Sequence, residues 1–297
     1  MPETRPRALP RPARAALLAW YDERGRTIAF RATRDPYAIL VSEVMAQQTQ
    51  IARVEPAWRA FLERFPSVRD LAAAAPADVL RAWRGMGYDR RALNLRRAAV
   101  AIVTDHDGEV PADLATLERL PGIGPYTARA VAAIAFGRPV GAVDTNVRRV
   151  IGRALALDPA DARQMQAAAD ASVPRARPAD WTHALMDLGA TVCRSRVPRC
   201  DACPIATWCR SAYALPPSPR IVRRRTSPVR FTSTTRWLRG RILDRLRGTA
   251  GAGWTRIEAP IGDHDADAVD SAVRALAHDG LIELDPAEGR LARLATA

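Results

Sequence analysis

A short glycine turn and the aspartate that follows it are the residues of this chain best suited to chemistry on a nucleic acid. The turn reads LPGIGP and contains Gly122 and Gly124, and Asp144 follows ahead of a segment with several arginines. Pro121 and Pro125 prevent a helix from running through the turn, while glycine accepts backbone angles that other residues avoid. Unpaired backbone N–H groups at the start of the next helix would then hold a phosphate, directly or through a bound cation. This pattern predicts an enzyme that grips a nucleic-acid backbone and acts on the adjoining sugar, although a helix pair with a capping aspartate is the simpler alternative.

A second carboxyl group, that of Glu43, lies on a predicted helix among apolar neighbours. Apolar residues recur at helical spacing along residues 37–64, and Leu40, Val41 and Val44 are close to Glu43 in this pattern. Apolar surroundings raise the pKa of a carboxyl group, so that it can act as a general acid near neutral pH. We therefore predict a buried acid at Glu43, with a solvated surface glutamate as the alternative.

All cysteines of the chain lie in one short segment with the spacing C-x6-C-x2-C-x5-C: Cys193, Cys200, Cys203 and Cys209. A structural disulfide set is unusual for a cytosolic chain. Zinc usually takes two short cysteine pairs separated by a longer spacer, whereas four nested thiolates suit a 4Fe–4S cluster. The spacing favours the iron–sulfur cluster, and zinc or free thiols remain as alternatives.

Composition and charge indicate the kind of partner and the compartment. The 297 residues include 45 basic residues, all of them arginine, against 32 acidic residues, and the net charge is +13. Such an excess favours a polyanionic partner, although a GC-rich genome also raises arginine usage. No apolar run approaches the ~20 residues of a membrane span, and the N-terminal sequence lacks a signal-peptide pattern. We expect a soluble, cytoplasmic, nucleoid-associated protein that does not bind membranes.

Several of these segments resemble one family of DNA repair enzymes. Residues 120–153 resemble the helix-hairpin-helix, Gly/Pro…Asp superfamily of base-excision DNA glycosylases. The segments SEVMAQQTQ, GMGYDRRALNL and HALMDLGATVC resemble its MutY branch, the adenine glycosylases that remove adenine mispaired with 8-oxoguanine or guanine. The resemblance covers about residues 12–212 and includes the cysteine spacing of the family's iron–sulfur loop.

The resemblance implies roles for individual residues. Glu43 would protonate the departing adenine, and Asp144 would stabilise the cationic sugar and help water to add. Tyr126 stands where relatives that also cut the strand carry lysine, and Asn146 follows the aspartate as in the family. The positions that would contact DNA or the extruded base are Arg31, Gln48, Thr49, Tyr88, Gly122, Gly124 and Asp187.

Some positions depart from the family pattern, and the lysine content limits the chemistry. Ala29-Phe30 replaces a Pro-Trp pair, Ala46 a larger wedge residue, Asp89 a second aromatic residue, and Thr145 a glycine. Strand-cutting relatives attack the sugar with a lysine amine. Because this chain contains no lysine, we expect water to be the nucleophile and the strand to stay intact.

The expected fold is mainly α, with the two-lobed helix-hairpin-helix glycosylase architecture, an iron–sulfur loop and a small C-terminal winged-helix-like α+β domain. Residues 1–29 would contain a helix (Arg14–Glu23) that packs with the cluster lobe. The remaining parts are a six-helix barrel lobe with the hairpin (30–140), the cluster lobe (141–212), a basic proline-rich linker (213–235) and the winged-helix-like domain (236–297). In this last domain two helical patterns precede a predicted hairpin, which would bind DNA or simply pack.

The expected activity is the hydrolysis of the bond between adenine and deoxyribose by a monomer acting on double-stranded DNA. Two alternatives stay open: a thymine or uracil glycosylase acting on G:T or G:U mispairs, and a non-catalytic iron–sulfur DNA-binding protein. The pair Gln47-Gln48 favours adenine, and the presence of both Glu43 and Asp144 argues against a silent protein. The tail is too short for the Nudix-like domain with which many of these enzymes read 8-oxoguanine.

Overall fold

The structure is a computed structural model that describes residues 7–214, 230–249 and 253–296. Most of the predicted linker (213–235) lies outside these residues. The described helices are α1 (Arg11–Arg24), α2 (Pro36–Ala46), α3 (Ile51–Arg64), α4 (Val68–Ala73), α5 (Pro76–Ala82), α6 (Arg90–Asp105), α7 (Leu114–Arg119), α8 (Pro125–Phe136), α9 (Thr145–Leu155), α10 (Ala162–Ser172), α11 (Pro178–Asp187), α12 (Thr235–Arg247) and α13 (Ala266–His278). The described strands are β1 (Thr255–Arg256), β2 (Ile282–Leu284) and β3 (Leu291–Leu294).

The described residues form two compact units. Unit 1 contains those within Met1–Glu43, Pro111–Arg119 and Ile123–Val222, and unit 2 contains those within Val44–Val110, Leu120–Gly122 and Arg223–Ala297. None of the helices in the described parts of the chain is both long and apolar enough to cross a membrane.

Unit 1 is built around a core to which α1 contributes its apolar side. Leu9, Ala13 and Leu17 are buried in one cluster with apolar residues of α9, α10 and α11. Helix α1 begins at Arg11, three residues before the predicted start. The predicted start is too late because proline usually interrupts a helix. Pro12 is nevertheless compatible with the first helical turn, because N–H groups there have no acceptor within the helix.

Helices α7 and α8 flank the predicted glycine turn. Helix α8 begins directly after Gly124 with Pro125 in its first turn. It ends at Phe136, and the following Gly137 has a φ of 62°, the left-handed conformation typical of a helix C-terminus. Seven of the twelve residues of α8 are buried. The helix is therefore anchored along its length, which fixes the backbone N–H groups at its first turn.

Unit 2 contains two kinds of structure. Helices α4 and α6 pack together, and Phe61, Phe65 and Trp83 form edge-to-face aromatic contacts near them. The C-terminal part has the predicted order of two helices and a hairpin. Strands β2 and β3 pair antiparallel, with Ile282 opposite Leu294.

The structure adds a strand that the sequence did not predict. Strand β1 has only two residues and pairs antiparallel with β3, which gives the sheet order β1-β3-β2. Two residues are too few to show the alternation of polar and apolar side chains by which strands are recognised. The pairing is decided by β3, whose free edge accepts the extra strand.

Candidate active site

Glu43 of α2 is a buried carboxyl group, with 7% of its surface exposed. The Tyr126 hydroxyl, from the first turn of α8, donates a hydrogen bond of 3.1 Å to Glu43 Oε2. The pKa of Glu43 is raised from 4.5 to about 7, mainly by burial. The hydrogen bond from Tyr126 and the charge of Arg31 lower this pKa, while the charge of Asp144 adds to the rise. A carboxyl group with a pKa near 7 suits a general acid at neutral pH.

Tyr126 is itself held in its neutral form. Burial, followed by the charge of Glu43, raises the pKa of Tyr126 well above its ordinary value of 10.0. The hydroxyl therefore keeps its proton throughout the physiological range and serves as a donor, not as a base. Tyr126 lies at the start of α8, directly after the glycine turn, so the position of this helix fixes the position of the hydroxyl.

Asp144 is the N-cap residue of α9. Its Oδ1 accepts the backbone N–H of Val147 at 2.6 Å, and its Oδ2 accepts Nδ2 of Asn146 at 3.0 Å. Both oxygens thus receive donors, and the helix N-terminus favours a negative charge. The arrangement keeps a charged carboxylate in a fixed orientation, and this charge acts on Glu43.

Asn146 is connected in turn to the cysteine segment. Its Oδ1 accepts from Arg149 at 2.8 Å, and the same guanidinium donates to the carbonyl oxygens of Gly189 at 2.6 Å and of Cys193 at 2.7 Å. A Cβ added to Gly189 would come within 2.5 Å of the Asn146 Cβ, so the close approach requires glycine there. Asp144, Asn146 and the first cysteine are therefore joined by one hydrogen-bonded chain.

Arg31 and Asp187 form a buried ion pair. The carboxylate of Asp187, with 0% of the residue exposed, accepts two bonds of 2.9 Å from Arg31 and further bonds from the side chain and backbone of Arg26. Burial alone would raise the pKa of Asp187, but the hydrogen bonds and charge of Arg31, together with the bonds from Arg26, outweigh it and lower the pKa. Both oxygens of Asp187 are thus occupied by arginines, and the residue holds Arg31 in place.

The four cysteines line one cavity of unit 1, whose other walls include Val150, Leu188 and Ile205. Arg153 donates to the Cys193 sulfur at 3.5 Å and to two neighbouring carbonyl oxygens at 2.8 Å. Within the described residues, no three His, Cys, Asp or Glu side chains are grouped as ligands of a single metal ion. Four soft donors around a shared apolar cavity suit a group that needs one thiolate at each of several metal atoms.

Unit 2 holds the predicted DNA-contacting residues of two loops. Gln48 and Tyr88 both have positive φ, 54° and 48°, a conformation that few residues other than glycine adopt. Tyr88 is 42% exposed. Backbone strain of this kind persists only where the surroundings enforce it.

Arg91 is the residue that enforces these two loop conformations. Its guanidinium donates to the carbonyl oxygens of Val44, Met45 and Gln47 and to the Thr49 hydroxyl, all at or below 3.1 Å. It also donates to the carbonyl oxygens of residues 86 and 87, at 3.2 and 3.0 Å. The loop that carries Gln48 and the loop that carries Tyr88 are therefore fixed to each other by one side chain.

The two glycines of the turn differ in the reason for which glycine is required. Gly122 has a φ of 76°, and a Cβ there would lie 2.6 Å from the Asn94 Cβ. Gly124 has an ordinary φ of −86°, and a Cβ there would meet nothing within 4 Å. Gly122 is thus required by folding, whereas Gly124 leaves open space at the start of α8.

The structure groups the predicted residues unevenly. Unit 1 brings Glu43 to Tyr126, Asp144 to Asn146, and Arg31 to Asp187, and it gathers the cysteines; unit 2 holds Gln48, Thr49, Tyr88 and Gly122. Three supporting arginines were not predicted: Arg26, Arg91 and Arg149. Their partners are mostly backbone carbonyl oxygens or residues distant in sequence. Neither kind of partner produces a sequence pattern from which these arginines could have been predicted.

Comparison with known proteins identifies the class. Residues 41–175 match the family described as HhH-GPD superfamily base excision DNA repair protein. The structure resembles that of a thermostable thymine-DNA glycosylase, with a TM-score of 0.64 and 27% identity over 68% of this chain and 95% of that one. It also resembles a trapped endonuclease III–DNA covalent intermediate, with a TM-score of 0.58 and 25% identity over 67% and 93%.

A relative at higher identity spans nearly the whole chain. An adenine DNA glycosylase of Mycolicibacterium smegmatis is 43% identical over 288 residues, which cover 93% of this chain and 94% of that protein. The chain belongs to the HhH-GPD superfamily of base excision DNA repair proteins. The predicted mainly α glycosylase fold with a small C-terminal sheet is confirmed.

Proposed function

We propose that this protein is an adenine DNA glycosylase that removes adenine mispaired with 8-oxoguanine or guanine from double-stranded DNA. The observation that carries the proposal is the buried Glu43, whose pKa of about 7 and hydrogen bond from Tyr126 give a proton donor, together with the fixed carboxylate of Asp144. Adenine must be protonated to become a good leaving group, and the sugar that it leaves carries positive charge. The two acids have the two states that this reaction requires.

The reaction follows from these two states. The adenine is extruded from the duplex, and Glu43 donates its proton to the base as the glycosidic bond lengthens. The charge of Asp144 stabilises the oxocarbenium-like sugar. Water then adds to the sugar, and the ionised Glu43 is available to accept a proton from it. The product is an abasic site in an uncut strand, because the chain has no lysine to form a Schiff base.

The remaining residues support binding and orientation. The N–H groups at the start of α8, beside the open space at Gly124, are suited to a DNA phosphate. Arg31, held by Asp187, is suited to contact the extruded base, and Asp187 acts as a positioning residue for it. Gln48, Thr49 and Tyr88 belong to the two loops that would enter the duplex in place of the adenine.

The cysteine cavity is suited to a 4Fe–4S cluster held by Cys193, Cys200, Cys203 and Cys209. The cluster would supply structural cross-linking of the segment whose carbonyl oxygens receive Arg149 and Arg153. A single zinc ion would need all four sulfurs at about 2.3 Å from one point. Iron and acid-labile sulfide in near-equal amounts, about four of each per chain, are expected; one zinc per chain instead would contradict this assignment.

The alternative of a thymine or uracil glycosylase has one observation in its favour, the likeness to the thymine-DNA glycosylase structure. The extent of the similarity argues against this alternative. The thymine-DNA glycosylase is 27% identical over 68% of the chain, whereas the Mycolicibacterium smegmatis adenine DNA glycosylase is 43% identical over 93% of it. The higher identity over the longer alignment favours adenine.

One assay tests the proposal. The protein fraction that elutes at the size of a monomer is incubated with duplexes that contain A opposite 8-oxoguanine, A opposite guanine, T opposite guanine or U opposite guanine. Hot alkali is then added to cleave the strands at abasic sites. Cleavage of the adenine-containing strands, and only after alkali, is expected. Glu43→Gln and Asp144→Asn should lose turnover by about three orders of magnitude or more while duplex binding stays within a few-fold. Pyrimidine release, or near-normal turnover by either variant, contradicts the proposal.

A further inference from the structure

An open basic groove lies wholly within unit 2. It has a volume of about 920 Å³ and is lined by the segment around Gly85–Arg91 and by α12. The wall contains seven arginines against two aspartates: Arg53, Arg90, Arg91, Arg236, Arg239, Arg241 and Arg247. A second cavity, of about 870 Å³, shares Arg241 with it and adds Arg84 and Arg245. Positive charge therefore continues along α12, as a polyanion requires.

Most of these arginines already have partners within unit 2. Arg239 and Arg90 pair with Asp279, at 2.5 and 3.4 Å, and Arg91 is bound by backbone carbonyl oxygens. Arg236 differs from these residues, because its partner is the side chain of Tyr88 and not a carboxylate or a backbone carbonyl oxygen. It is exposed at the start of α12 and donates to the Tyr88 hydroxyl at 2.9 Å.

Arg236 also covers a face of the Tyr88 ring. Its guanidinium carbon lies 4.2 Å from the ring centroid, closer than that of Arg91 at 5.6 Å. Helix α12 holds it there, because Arg247 of the same helix is buried and donates to the Leu80 carbonyl oxygen at 2.9 Å and to Asp89. The contact is thus part of a fixed interface between the C-terminal helices and the loop that carries Tyr88.

The contact conflicts with the role proposed for Tyr88. An aromatic ring that enters a duplex is sandwiched between bases, so the face under Arg236 must become free. Stacking of a base on an aromatic ring is stronger than an exposed cation–π contact. A DNA base that stacks on the Tyr88 ring therefore displaces the Arg236 guanidinium. The displaced guanidinium then lies beside the inserted ring, where the nearest anions are the flanking phosphates. Arginine binds phosphate through paired hydrogen bonds.

We propose that the C-terminal domain is a second DNA-binding element, in which α12 binds the sugar-phosphate backbone of the strand that Tyr88 enters and Arg236 exchanges the Tyr88 ring for a phosphate. This inference rests on the proposed function only in taking Tyr88 as the residue that enters the duplex. Exposed Phe231, which also lines the groove, adds an apolar surface beside the same phosphates.

The test compares full-length variants by the salt dependence of duplex binding. The probe is a duplex with a non-hydrolysable adenosine analogue opposite guanine, and the dissociation constant is measured at several salt concentrations. Arg236→Gln should weaken binding and reduce the slope of log K against log salt by about 0.9, the value for one lost phosphate contact. Arg236→Lys keeps the charge and should keep the slope. Arg274→Gln, an exposed arginine of α13 that lines neither cavity, is the matched control and should keep both.

Each result decides the matter. An unchanged slope in Arg236→Gln overturns the inference, and so does an equal loss in Arg274→Gln, which would mean that only net charge counts. A slope lost in Arg236→Lys as well overturns the phosphate exchange. Failure of the proposed function is separate, because it is seen as absence of adenine release by the unaltered protein, whereas the slopes are measured on binding alone. Thermal unfolding of each variant verifies that it is folded.

Discussion

Replacement of Tyr126 by phenylalanine should make the reaction more tolerant of alkaline pH. In the proposed reaction Glu43 donates its proton to the base, so the rate falls as the pH rises through its pKa of about 7. Tyr126 donates a hydrogen bond to Glu43 Oε2, and this bond favours the ionised form. Its loss must therefore raise the pKa and move the falling limb of the pH–rate profile to higher pH.

The size of the shift follows from the geometry. A hydrogen bond to a charged group contributes about 1.5–3 kcal/mol. The 3.1 Å separation of Tyr126 and Glu43 is long for two oxygen atoms, so the lower figure applies. Because one pKa unit corresponds to about 1.4 kcal/mol, the midpoint should rise by about one unit. At pH 8 about a tenth of the wild-type acid is protonated and about half of the variant, so the variant should retain about fivefold more of its own plateau rate.

The measurement is single-turnover adenine release with subsaturating DNA between pH 5 and pH 9, which reports the free protein. Each profile is normalised to its own low-pH plateau, so that a lost packing contact does not enter the comparison. Tyr213→Phe, at an exposed tyrosine, is the control and should leave the midpoint in place. Arg31 and Asp144, the charges that act on Glu43, are unaltered in both proteins. A midpoint for Tyr126→Phe that stays near 7 or moves to lower pH would refute the reasoning.

Four further variants test stability and binding. Glu43→Gln should stabilise the fold by about 3 kcal/mol above pH 7, where ionisation of a carboxyl with a raised pKa is costly, and by nothing below pH 4.5, as measured by urea unfolding across pH. Arg91→Lys should lower the free energy of unfolding by about 2–4 kcal/mol, since an ammonium cannot reach both loops, and a smaller loss would contradict its bridging role. Gly122→Ala should cost about 2 kcal/mol through its positive φ and the contact with Asn94. Gly124→Ala should unfold like the wild type but bind duplex DNA more weakly; equal stability of the two alanine variants would refute the distinction between the glycines.

The candidate catalytic residues were more predictable than the residues that support them. Glu43 was expected to be buried with a raised pKa because its neighbours are apolar, and both features are present. The capping aspartate that was the simpler alternative for Asp144 is also present, because Asp144 is the N-cap residue of α9. The helix order and the C-terminal hairpin followed from periodicity and turn residues. These are local properties, and a single chain displays them.

What could not be predicted depends on contacts between distant parts of the chain. Arg91 reads as an ordinary surface arginine of α6, yet it binds carbonyl oxygens 44 to 47 positions away. Arg149 directly follows Arg148 in α9, and nothing in the sequence distinguishes the two, although Arg149 reaches the Cys193 carbonyl oxygen and Arg148 donates to the Pro159 carbonyl oxygen. Backbone acceptors have the same identity at every position, so the sequence does not mark which ones an arginine will find.

The guanidinium of Arg91 has a consequence for the choice of substrate. Because it clamps both loops, Gln48 and Tyr88 keep one fixed spacing and cannot adapt separately to the DNA that they meet. In the proposed enzyme the DNA duplex, and not the two loops, must then change its conformation on binding. Base steps that unstack at a low free-energy cost, as mispaired steps do, allow the two fixed side chains to enter. Well-stacked steps make this entry more costly. The enzyme would thus discriminate between base pairs first by how easily they unstack, before the base reaches Glu43 and Asp144.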